Sequence, residues 1–170
     1  EIEYEQVFEA IMDSPNDLLV KFNYTETESE VIVNPGDTYI NSIGTVVDAQ
    51  NLLANGRDTR LQGQSDTIAN FQIGLDNLQN QTQATLIVNY VSDRVRARGI
   101  DVLPDIIEEP PLLVDFAFSK IYSYPEFELK LSLELRNLLD EEYYASMRNI
   151  AIYDQYDLGT SASLGFKISF

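Results

Sequence analysis

Three groups of charged residues have spacings that could do chemistry. Asp140, Glu141 and Glu142 form a carboxylate run of the kind that hard divalent cations take. Successive residues of an extended chain point to opposite sides, so three in a row do not converge on one ion. Turn chemistry is the plainer use. Asp105, Glu108 and Glu109 form a second acidic group beside Pro104 and Pro110, and read as solvated loop residues. Arg94, Arg96 and Arg98 alternate. Period 2 places all three guanidiniums on one face, in register with Tyr90. Turned outward on a membrane sheet they would meet lipid phosphates. Turned inward they would meet an anionic ligand, and in a loop they would be solvated.

Other chemistry is absent from the chain. It has no His and no Cys, which removes the commonest general base, the commonest metal ligand and any disulfide framework. No GxGxxG, P-loop, HExxH or nucleophile-elbow pattern occurs. An enzyme is therefore not expected, nor a cofactor or metal. A net charge of −17 argues against nucleic acid, which needs a basic footprint. It fits acidic solvated loops or a cation-rich partner. Asn23-Tyr24-Thr25 and Asn80-Gln81-Thr82 match the glycosylation pattern, but strand and turn chemistry accounts for both.

The elements that would position these groups read as strands. The chain ends GTSASLGFKISF, where Ala162, Leu164, Phe166, Ile168 and Phe170 alternate with Ser161, Ser163, Gly165, Lys167 and Ser169. Six earlier segments alternate in the same way. They are IEYEQVFE, LLVKFNYTETESEVIV, TIANFQIGLD, ATLIVNYVSDRVRAR, LLVDFAFSKIY and FELKLSLELRNLL. TVVDAQNLLA could form a short helix. Short turns are expected near residues 10–17, 77–81 and 122–126, and long loops near 34–65, 98–110 and 140–158. The start, EIEYEQVFEA, is charged from its first residue and does not read as a secretory signal.

A meander with short turns at one end and long loops at the other is the pattern of outer-membrane barrels. The polar faces support it. Lys130, Glu134 and Arg136 lie opposite Leu129, Leu131, Leu133 and Leu135, and each charge would need a partner in a dry core. A watered lumen accepts them while the Leu face meets lipid. Tyr90, Tyr122, Tyr124, Tyr143 and Tyr144 fall near expected strand ends, where barrels carry aromatic girdles. A soluble β-sandwich used for binding remains self-consistent, with the Leu faces paired as a core and the charged faces solvated.

At NLLDEEYY the sequence resembles the TonB-dependent outer-membrane receptors. Asn137, Leu138, Leu139, Asp140 and Tyr143 fill the pattern that follows the penultimate barrel strand in that family, with Leu139 where Phe is frequent. RLQGQSDTIANFQIGLDN looks like the segment that re-enters the membrane after a long external loop. PDIIEEPPLLVDFAFS resembles a loop and the antepenultimate strand, and GTSASLGFKISF the last strand. The resemblance spans nearly all of residues 17–170. It implies a plugged barrel of 22 strands, of which this chain supplies an antiparallel meander of about the last seven. The plug, the TonB-contacting segment and the early strands would then be missing, and the open edge would be covered by further strands or an assembly partner. By the same resemblance, Phe170, with Ile168 and Phe166, serves as the signal read by the barrel assembly machinery. Arg94, Arg96 and Arg98 would face lipopolysaccharide. The protein would take up a scarce ligand (a ferric siderophore, a corrinoid or a saccharide) by coupling to the TonB complex in the bacterial outer membrane. A passive channel without a plug is the nearest alternative.

Overall fold

The structure, a computed structural model, describes residues 1–9, 16–53, 59–99, 103–148 and 150–170. It is all-β and antiparallel. The strands are β1 (Ile2–Phe8), β2 (Asn16–Glu26), β3 (Thr38–Ile40), β4 (Val46–Asp48), β5 (Thr67–Asn77), β6 (Thr82–Val91), β7 (Arg94–Ala97), β8 (Ile106–Glu109), β9 (Leu113–Ser123), β10 (Glu128–Arg136), β11 (Glu142–Met147), β12 (Ala151–Asp157) and β13 (Ser161–Ser169). Seven of them form one sheet in the order β1-β2-β5-β6-β9-β10-β13, and these are the seven alternating segments of the sequence. The helix expected within residues 45–54 is the single turn Gln50–Leu53, preceded by β4.

Register turns the alternation of each strand into two continuous faces. Phe22 lies opposite Phe71, Phe71 opposite Val88, and Val88 opposite Val114. Further along, Phe118 lies opposite Leu133, and Leu133 opposite Leu164. One face is therefore Leu, Val, Ile, Phe and Tyr from β1 to β13. Gln6 and Lys120 interrupt it, Asn16, Asn77 and Thr82 at one end and Glu26 and Thr67 at the other are polar, and the Lys120 ammonium sits 5.1 Å over the Tyr122 ring. The other face carries Glu3, Asn23, Asn70 and Asn89, then Asp115, Lys130 and Lys167 further along. Among the described residues no second layer covers either face. The buried apolar residues are Ala49, Val95 and Ala145, and none of them lies in the seven-stranded sheet. Phe22, Phe71, Leu75, Tyr90, Leu164, Phe166 and Ile168 are exposed. A sandwich would have buried this face against a second sheet.

Short and long connections of the large sheet alternate between its two ends, as the sequence predicts. The β5–β6 and β9–β10 turns lie at one end with the last residue of β13, and the long connections lie at the other. The first short turn, through Ser14 and Pro15, falls largely outside the described residues, as does Asn55-Gly56.

Three expectations are corrected. LLVKFNYTETESEVIV leaves the sheet at Glu26, and the Thr27 N–H turns to the Asp66 carbonyl. ATLIVNYVSDRVRAR is two strands rather than one. Ser92 closes the β5–β6 pairing by exchanging hydrogen bonds with Thr67, the Asp93 carbonyl is taken by the Arg60 guanidinium, and β7 then joins a second sheet. The segments read as the loops 98–110 and 140–158 supply the rest of that sheet, ordered β12-β11-β8-β7. Short strands inside polar, Pro-bounded segments have too few alternating residues to be read from pattern alone.

Candidate functional site

The family-like motif builds a corner. Asn137 follows β10 at φ +52°, and Asp140 has φ +55°. Asn and Asp tolerate this left-handed backbone better than most residues. The Asn137 amide donates to the Glu141 and Gly159 carbonyls at 3.0 and 3.2 Å, and its Oδ1 accepts the Glu141 N–H at 3.1 Å. Its backbone N–H donates to the Asp115 carboxylate at 2.9 Å, and its carbonyl accepts the Thr160 hydroxyl at 2.8 Å. One buried side chain thus ties the end of β10 to the approaches of β11 and β13, while its backbone is held by β9. Leu138 and Leu139 stay exposed, and the Leu138 N–H donates to the Val114 carbonyl. Asp140 serves the turn. Among the described residues no group of acids is arranged to hold a metal ion.

Tyr143 belongs to the second sheet rather than to a girdle, and so does Tyr144. The Tyr143 hydroxyl accepts from Arg96 at 2.9 Å, and its ring stacks on Tyr156 at 4.6 Å. Burial is the chief cause pushing its phenol up. Arg96 also pairs with Asp154 at 3.1 Å and lies over the rings of Tyr143 and Tyr153. Tyr90 and Tyr122 do end strands of the large sheet on its apolar face, and Tyr124 stacks on Phe127 in the β9–β10 turn.

The three arginines do not share one face. A bulge between Val95 and Ala97 shifts the β7–β8 register, so period 2 fails at Arg96. Arg94 makes a two-pronged pair with Glu108 at 2.9 and 3.0 Å. That hydrogen bond holds the Glu108 carboxyl below its usual range and pushes the Arg94 guanidinium up. Arg98 reaches Asp105 at 3.1 Å and the Arg60 carbonyl. Asp105 is fully buried, not solvated, and its second oxygen accepts the Gly99 N–H at 2.9 Å. All three arginines are therefore engaged by acids of this chain, and Glu108 is a structural partner rather than a solvated loop residue.

Arg60 was not marked by any pattern in the sequence, yet it organises the rim. It binds Asp66 at 3.2 Å and Asp93 at 2.9 Å, joining the 27–66 connection to the end of β6. Beside it opens a cleft of about 520 Å³ lined by Arg60, Ser92, Asp93, Glu109, Ser146 and Arg148. A cleft with both charge signs and hydroxyl groups can hold a polar ligand where the two sheets meet.

Phe166 and Ile168 project from the apolar face of β13, and Phe170 follows them, fully exposed. The outer edge of β13 is unpaired among the described residues. No protein-family model, no curated protein and no solved structure matches this chain.

Proposed function

We propose that this chain is the C-terminal wall of a TonB-dependent receptor in the bacterial outer membrane, and that the whole receptor imports a scarce ligand. The observation that carries the reading is the pair of continuous faces on the seven-stranded sheet. A mainly apolar side and a mainly polar side, the second interrupted by Leu19, Ile87 and Ile121, suit lipid outside and water inside. Strand length agrees for six of the seven strands, β1 having 7 residues. β2, β5 and β9 have 11 residues each, β6 has 10, and β10 and β13 have 9. A tilted strand needs about 9–11 to cross the hydrocarbon.

β1 and β13 run in the same direction, because seven antiparallel strands separate into odd and even. Joining these edges to each other would make a parallel seam. An antiparallel closed barrel needs an odd number of further strands, and about fifteen would complete the 22 of the outer-membrane transporters. In this reading the ligand enters at the long-connection end, where the cleft beside Arg60 lies. The TonB complex acts through a plug in the rest of the protein, and the apolar face meets outer-membrane lipid and lipopolysaccharide. Phe170 is read by the barrel assembly machinery.

The test is fractionation of cells making this chain, with gels run before and after boiling. Extraction only with detergent and a heat-dependent mobility shift are expected. A monomer that unfolds cooperatively without detergent would return the chain to the binding-module reading. Loss of uptake by the full-length protein when the TonB complex is disabled separates the receptor from a passive channel.

A further inference from the structure

We infer that the polar face of the large sheet carries a binding groove for a neutral oligosaccharide. This deepens the receptor reading by naming the class of ligand, and depends on that reading only for the membrane context. Four side chains stand level across four neighbouring strands: Glu3 opposite Asn23, Asn23 opposite Asn70, and Asn70 opposite Asn89. The next level down is Glu5, Lys21, Gln72 and Ile87. Together they line a groove of about 590 Å³ just below the long-connection end of β2, β5 and β6.

The groove's hydrogen-bonding groups are mostly unspent. A primary amide has two donor hydrogens and an oxygen with two lone pairs. Asn23 donates to Glu1 and Glu3 at 3.4 and 3.5 Å, and Asn70 donates to Asn23 at 3.4 Å. These bonds are at the long limit, where strength falls away. The half-buried amides of Asn89 and Gln72 have no hydrogen bond among the described residues. The result is a transverse row of amides repeating at the strand spacing of about 4.8 Å.

The charge of the groove selects the ligand. Its one cation, Lys21, is paired with Glu5 at 3.0 Å, and Glu3 adds a further negative charge. An anionic metal chelate finds no guanidinium here and meets acids. A hydroxyl both donates and accepts, so a chain of hydroxyl groups uses both halves of each amide, and carboxylates accept from it as well. A linear neutral sugar laid across the strands meets Asn23, Asn70 and Asn89 in turn.

The experiment is titration calorimetry on the full chain, folded in a detergent whose headgroup is not a sugar. The probes are maltohexaose, cellohexaose and xylohexaose, with ferric citrate as the anionic comparison. At least one hexasaccharide should bind saturably while ferric citrate does not. The double substitution Asn70→Leu with Asn89→Leu should weaken that binding at least tenfold, and Asn89→Gln alone, which keeps an amide at this position, should retain most of it. Asn89→Ala, a milder change, guards against a double variant that does not fold. The inference is overturned if the folded chain binds none of the three sugars, if ferric citrate binds in their place, or if the Asn variants bind as tightly as the parent. Sugar binding by a chain that needs no detergent would sink the receptor reading and leave the groove standing.

Discussion

Asn137 shows what a motif residue does here. It meets a left-handed backbone requirement and makes three side-chain hydrogen bonds from a buried position. Asn137→Ala should cost about 2–4 kcal/mol, since unsatisfied buried groups and the strained φ add. Asn137→Gly, which relieves only the backbone, should cost less. Urea unfolding from detergent, compared across the three proteins, checks the order. Glu108 makes a pH prediction. Its carboxyl is held below the usual range by Arg94, so its contribution is present above the unfolded value near 4.5 and is lost as pH falls through the lower folded value. Amide exchange in β7 and β8 should speed up below that range in the parent, and Glu108→Gln should flatten the change. Asp157 works in the opposite sense. It faces Glu142 across β11 and β12, and the hydrogen bond to that side chain, with like charge beside it, pushes it up. Its raised value makes the pair more comfortable in acid, and Asp157→Asn should slow exchange in β12 at neutral pH. Asn137 was marked by the family resemblance and Asp140 by turn chemistry as well, while the left-handed backbone at both is seen only in the structure. Asp105 and Arg60 could not be read from the sequence, because their partners lie in other connections.

At the scale of elements, the seven strands of the large sheet were legible, and the six outside it were not read as separate strands. Sustained alternation fixes both the period and the face. Leu129 to Leu135 shows this, and each of those residues keeps its face in the structure. β7 and β8 have four residues each, and a single bulge was enough to move Arg98 off the face that Arg94 occupies. The same face argument gives a paired prediction in β10. Leu131 lies between Lys120 and Phe166 on the apolar side, and its neighbour Ser132 lies on the polar side. Leu131→Arg should destabilise by about 2–4 kcal/mol near mid-membrane, whereas Ser132→Arg should stay within about 0.5 kcal/mol. Equal effects in detergent-to-lipid refolding would count against the assignment of faces.

For the whole molecule, the arginines are sorted along the strand direction, and of the lysines only Lys21 sits midway along a strand. The described arginines all lie at the long-connection end, where five are paired with acids, Arg136 among them. Lys120, Lys130 and Lys167 lie toward the short-turn end. Arg94 holds Glu108 through a forked pair and Arg60 bridges Asp66 and Asp93, while Lys120 lies over the Tyr122 ring. Assembly should depend on the last strand. Phe170→Ala should lower the amount of full-length protein in the outer membrane, read from fractionated cells, and unchanged levels would remove that role. The central claim is that the apolar face meets lipid. The chain has no native cysteine, so single cysteines can report each position alone. Spin labels at Phe71, Val88 and Leu131, and at Gln72, Asn89 and Ser132, should be compared in lipid vesicles for collision with oxygen and with a water-soluble nickel chelate. Oxygen should dominate at the first three and nickel at the second three. Labels on the first three that see nickel as readily as the second three would mean that this face is not in lipid.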